Sequence, residues 1–267
     1  MRQLALSTHP GPALAVTVVT GLLAVGVGLP PLSILLLCAA MLLGQASVGL
    51  SNDWIDAPRD RAVGRTDKPV ALGLIAVSSV RTAAFLTAAL ALVLTVPLGP
   101  LALAVHAVFI LSAWSYNLGL KKSALSVLPY IVSFGLLPML VTVSLPVPAA
   151  AAWWALAAGA LLGVSAHFAN VLPDLADDER TGVRGLPHRL GLRISGVVVA
   201  VALAVASILL ARSPLLWLGV VVATGLAATC AVLALTRPPT RLLFRLIIAA
   251  ALVDVVMLAL SGTELVA

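Results

Sequence analysis

Runs of about 20 apolar residues, broken by short polar or proline-containing links, recur along the whole chain, and that is the length an α-helix needs to cross a hydrocarbon core of about 30 Å. The pattern predicts nine spans, at 12–29, 32–52, 77–96, 99–118, 125–145, 149–172, 192–211, 214–236 and 240–262. The first lacks a small-residue cleavage site and is followed at once by the second, so it is read as a retained helix and not a signal peptide. Links on one side are minimal: Leu29-Pro30-Pro31, Pro97-Leu98-Gly99, Pro146-Val147-Pro148 and Arg212-Ser213-Pro214. On the other side the links at 53–76 and 173–191 are long and crowded with charge, and chemistry is expected there.

Composition narrows the class. Of 267 residues 61% are hydrophobic and 10% charged, against roughly 25% charged in a soluble domain. Residues 1–267 are therefore read as one all-α integral membrane domain, with no room for a soluble one. The net charge of +6 points to one face of a membrane and not to nucleic acid. Of the sixteen Lys and Arg, all but Arg212 fall on the N-terminal side. The positive-inside rule then places the N-terminus in the cytoplasm and the C-terminus outside the cytoplasmic membrane. Cys38 and Cys230 lie inside apolar spans and read as small packing residues.

Seven of the ten acids gather in two clusters, after spans two and six. The first reads Asn52-Asp53-Trp54-Ile55-Asp56-Ala57-Pro58-Arg59-Asp60, where helical spacing puts Asn52, Asp56 and Asp60 on one stripe that Gly49 and Gln45 continue into the membrane. Pro58 leaves helix through Asp60 in question. The second reads Asn170-Val171-Leu172-Pro173-Asp174-Leu175-Ala176-Asp177-Asp178-Glu179, with His167, Asp174 and Asp178 at similar spacing. Like charges one turn apart repel, and helix C-termini disfavour anions, so a cation is expected between them. Magnesium suits, because it takes few carboxylates and completes its shell with water and phosphate oxygens. Arg65, Lys68, Lys121, Lys122, Arg184 and Arg189 follow these clusters and could hold a diphosphate. An ordinary charged loop, its acids neutralised by neighbouring arginines, is the alternative. Asp254, inside span nine, is expected to face a cavity or a partner, and His106 and His167 to hydrogen-bond between helices.

These motifs resemble the UbiA superfamily of intramembrane prenyltransferases. Asn52-Asp53-x-x-Asp56-x-x-x-Asp60 followed by Arg65-Thr66-Asp67-Lys68-Pro69 is similar to its first motif, Asp174-x-x-x-Asp178 through Arg184 and Arg189 to the second, and Tyr116 through Lys122 to the segment ending its fourth helix. Gly185 and His188 depart from residues common there. The resemblance implies nine transmembrane helices around a central cavity and two Mg2+ ions bridging a prenyl diphosphate. It implies metal ligation by Asn52, Asp53, Asp56, Asp60, Asp174 and Asp178, and substrate contacts from Asn52, Arg65, Lys68, Tyr116, Lys121 and Asn170, with Asp56, Asp174 and Lys121 catalytic. The expected reaction moves an isoprenyl group to a small lipophilic or aromatic acceptor, resembling a quinone precursor, within the bilayer. Two other readings stand beside it. A membrane terpene cyclase would close the allylic cation on itself, and a cation transporter would use the same acids, although these gather at one face and not at the midplane.

Overall fold

The computed structural model describes residues 2–66, 68–172, 175, 182–212, 216–236 and 241–267. Among them the chain is helical, with one isolated antiparallel bridge, Ala151 to Val266, in place of any strand. A short α1 (Arg2–Leu6) precedes α2 (Pro10–Gly26), α3 (Pro31–Ala62), α4 (Val77–Thr95), α5 (Pro100–Leu118), α6 (Leu128–Thr142), α7 (Trp153–Val171), α8 (Leu186–Leu209), α9 (Trp217–Thr236) and α10 (Arg241–Leu260). Each of the nine expected spans thus has a helix.

Six helices, α3, α4, α5, α7, α8 and α9, are long and apolar enough to cross a membrane, and α2 and α6 are shorter apolar helices. Their outward faces carry large apolar side chains such as Leu35, Leu111, Leu218 and Val221. Their buried faces are rich in Ala and Ser, the small residues that let helices approach closely where lipid offers no hydrophobic drive to associate.

Neighbours in sequence pack against one another from α2 round to α10, and α10 returns to pack against α2. The order closes on itself. The last residues tie back as well: Ala152 N–H donates to Leu265 O (2.8 Å) and Ala267 N–H to Ala150 O (3.0 Å).

Three boundaries differ from the sequence expectation in ways that shape the site. First, α3 runs on to Ala62, with Pro58 inside it, so the first acidic cluster lies on helix and not in a link. Proline there deletes one backbone hydrogen bond near the helix end, where few turns depend on it. Second, α6 begins at Leu128 because residues 120–127 form a 3-10 turn and a loop. Third, α8 starts at Leu186, ahead of the expected 192, and is interrupted at Gly191.

Candidate active site

A cavity of about 390 Å³ opens between α2, α3, α5, α6 and α7, close to the cytoplasmic ends assigned from sequence. Asn52, Arg65, Lys68, Tyr116, Lys121 and Asn170, all expected to contact substrate, line it together with Asp56. Asp53 and Asp60 are buried on the same stretch of α3 without lining it. Asp174 and Asp178 lie outside the described residues, as do Asp177 and Glu179.

The unbroken α3 fixes the stripe. Asn52 Nδ2 donates to Asp56 Oδ2 (3.1 Å) one turn on and to Asn117 Oδ1 (3.2 Å) on α5. Asn117 in turn donates to Val48 O (3.0 Å) and Ser51 Oγ (2.8 Å), clamping α5 to α3 beside the stripe.

Basic side chains meet every carboxylate here. Lys121 Nζ, on the 3-10 turn after α5, lies 2.5 and 2.6 Å from the two Asp56 oxygens. Burial pushes its ammonium below the ordinary lysine range, and Asp56 pulls it back. Arg59 reaches Asp56 Oδ2 (3.2 Å) and Asp60 Oδ1 (3.4 Å). Lys68 Nζ sits among three oxygens of α3: Asn52 Oδ1 (2.9 Å), Asp60 Oδ2 (2.9 Å) and Asp53 Oδ1 (3.2 Å). Lys122, beside Lys121 in sequence, is exposed, as are Arg184 and Arg189. None of these three lines the cavity.

Among the described residues no three His, Cys, Asp or Glu side chains converge on one point able to hold a metal ion. The convergence that exists uses two carboxylates and one amide oxygen around Lys68. An all-oxygen donor set of this kind fits a hard divalent cation such as Mg2+ and not a soft one.

Two elements of the site escaped the sequence reading. The segment between α1 and α2 brings Thr8 and His9 to the cavity, and His9 Nε2 lies 2.8 Å from Asp53 Oδ1. It can do so because residue 49 is glycine: a Cβ there would collide with the Thr8 carbonyl. His9 itself adopts a left-handed backbone (φ 52°) just before Pro10. The second element is aromatic. Tyr130 and Phe134 on α6 line the cavity with Phe109 and Tyr116 of α5. Tyr116 and Tyr130 meet edge to face at 5.3 Å, and Tyr130 stacks on Phe134 at 6.2 Å. Spacing of four places Tyr130 and Phe134 on one helix face, a signal that was present in the sequence. Trp54 and Trp114, by contrast, cluster with Phe85 away from the cavity, and Phe168 is core.

His106 and Asp254 tie helix to helix, and His167 ties α7 to the loop before α6. His106 pairs with Thr95 (2.7 Å) and His167 with Ser126 (3.0 Å). Asp254 takes a hydrogen bond from Ser207 on α8 (2.6 Å), so its partner is a neighbouring helix and not the cavity.

The UbiA prenyltransferase family model matches residues 13–258. No curated protein sequence matches the chain. Solved structures do. A UbiA homologue from Archaeoglobus fulgidus bound to GPP and Mg2+ aligns with TM-score 0.70 at 13% identity, over 96% of this chain and 99% of that one. An apo UbiA homologue from Aeropyrum pernix K1 aligns at 0.71 and 17%, over 91% and 96%. A structure of digeranylgeranylglyceryl phosphate synthase aligns at 0.63 and 19%, over 99% of each. Identities this low speak to fold alone, but the family match runs nearly from end to end: the chain belongs to the UbiA prenyltransferase family and is a membrane prenyltransferase.

Proposed function

We propose that the protein transfers an isoprenyl group from a prenyl diphosphate to a lipophilic, electron-rich acceptor, with Mg2+ as cofactor, in a bilayer cavity that opens toward the cytoplasm. The observation that carries this reading is the division of one cavity into two chemistries. Asp56 and the buried lysines Lys68 and Lys121 supply one. An aromatic wall of Phe109, Tyr116, Tyr130 and Phe134 supplies the other.

In this reading two metal ions would be held by Asn52, Asp53, Asp56 and Asp60 on α3 together with Asp174 and Asp178. Bound there, they would polarise the diphosphate and make it a better leaving group. Arg65, Lys68 and Lys121 take the charge that builds on the diphosphate oxygens as the allylic carbon–oxygen bond breaks, its electron pair leaving with the diphosphate. Tyr116 and Asn170 orient the same group. The aromatic wall faces the allylic cation, which needs π-faces and little water. The acceptor's electron pair closes the new bond, and the acceptor loses a proton. Nine helices cross the membrane with the N-terminus inside, as the basic residues require.

The relatives support this. The Archaeoglobus homologue was solved with GPP and, separately, with DMAPP, each with Mg2+. The test is Mg2+-dependent diphosphate release by the purified protein given geranyl, farnesyl and geranylgeranyl diphosphates, with and without phenolic and naphthoic acceptors, followed by mass spectrometry. A prenylated adduct formed only with acceptor is expected. A cyclised hydrocarbon formed without acceptor would replace transfer by cyclisation, and no release from any donor would end the proposal.

A further inference from the structure

Resting on that reading, we propose that Lys68 and Lys121 are exchangeable counter-ions: each keeps carboxylate oxygens from a divalent cation until a diphosphate arrives to receive its ammonium group, so that metal and diphosphate load together.

The geometry around Lys68 leads to this. Its Nζ lies 2.9 to 3.2 Å from oxygens of Asn52, Asp53 and Asp60, which places it where a cation shared by those donors would sit. The contact to Asn52 is a hydrogen bond, those to Asp53 and Asp60 are ion pairs, and Asp60 Oδ2 has no hydrogen-bond partner among the described residues, so the ammonium leaves this cage only partly satisfied. Lys121 does the same at Asp56, covering both oxygens. The same oxygen atoms cannot serve an ammonium at these distances and a magnesium ion at about 2.1 Å at the same time.

Neither lysine can simply withdraw. Lys68 is 6% exposed and Lys121 5%. A buried ammonium separated from its carboxylate needs another anion within reach. Both side chains line the cavity in which the diphosphate is proposed to bind, so a short swing exchanges one anion for the other. The carboxylates are not stranded during the exchange. Asp53 keeps His9, and Asp60 and Asp56 keep Arg59. Among the described residues Asp53, Asp56 and Asp60 are paired with Arg59, Lys68 and Lys121, and Asp53 with His9 as well. A divalent ion arriving alone would upset that balance, whereas one arriving with a diphosphate would restore it.

The sign of the expected result separates this from a purely structural role. Mn2+ binding is measured by electron paramagnetic resonance on the full chain in nanodiscs, without and with inorganic pyrophosphate, for wild type and for Lys68→Gln. Wild type is expected to take up Mn2+ at least about tenfold more tightly when pyrophosphate is present, a coupling of ordinary size. Lys68→Gln is expected to bind Mn2+ alone about tenfold more tightly than wild type and to lose most of the coupling, while Lys68→Arg keeps wild-type behaviour. Should Lys68→Gln fail to fold, Lys121→Gln carries the same expectation at Asp56. Weaker or unchanged Mn2+ binding in the folded glutamine variant overturns the exchange while leaving the prenyltransferase reading intact. Absence of Mn2+ binding to wild type even with pyrophosphate overturns both.

Discussion

Asp56 answers to two neighbours at once. It lines the cavity, and Lys121 and Arg59 both hold it. Asp56→Asn keeps the shape and removes the charge, so turnover is expected to fall by two orders of magnitude or more, in keeping with roughly 10²–10³ for one preorganised electrostatic group. Diphosphate release with a melting curve from the same preparation checks it, and full activity would remove Asp56 from the site. Tyr130→Leu stays apolar, is smaller, and loses both the π-face and the hydroxyl that Asn170 Nδ2 reaches (3.4 Å). If the wall stabilises a cation, kcat should drop about tenfold or more, on the order of 1–2 kcal/mol for a desolvated cation–π contact, with KM for the donor nearly unchanged. A change confined to KM would make Tyr130 a shape residue only. At this scale the sequence was readable where partners lie within two turns, as in Asn52, Asp56 and Asp60. It was silent on His9, whose partner Asp53 is 44 positions away and whose own segment lies outside any apolar run.

At the scale of elements, apolar windows located every described helix but the short α1, because burial in lipid is a one-dimensional property that a window can sum. They misjudged where helices stop. The expected end of span two at 52 marks where apolar residues run out, yet α3 continues to Ala62, since a helix leaving the hydrocarbon needs only its own hydrogen bonds and packing partners. Those ten residues carry the first motif. Packing geometry was invisible in the same way. A Cβ at Gly163 of α7 would strike the Tyr130 carbonyl, which is how α6 is brought close enough to aim its aromatic face, but a lone glycine in an apolar run does not announce its neighbour. Gly49 offers the sharper test. Gly49→Leu should push the Thr8–His9 segment off α3, costing about 1–3 kcal/mol as overpacking does. The Tm should fall, and so should activity, because His9 loses Asp53. Wild-type Tm and activity together would mean that this segment does not depend on the close approach.

For the whole molecule, the outside is apolar, and Asp53, Asp56 and Asp60 lie buried together at one end of α3. Cofactor dependence belongs to this scale, since the proposed ions bridge motifs from opposite halves of the chain. Chelation with EDTA is expected to abolish turnover, and added Mg2+ to restore it, while helicity by circular dichroism stays constant because ion pairs already neutralise Asp53, Asp56 and Asp60. Loss of helicity on chelation would make the metal structural instead.

The pairing of α2 with α10 has a consequence in time. Helix α2 supplies part of the cavity wall, through Pro12, Ala13 and Val16, yet one of its flanking neighbours is made only after more than 200 further residues. During synthesis that flank waits beside lipid, and the ring of helices stays open until α10 arrives. The cavity wall that α2 supplies is thereby braced on both flanks only when the chain is nearly finished.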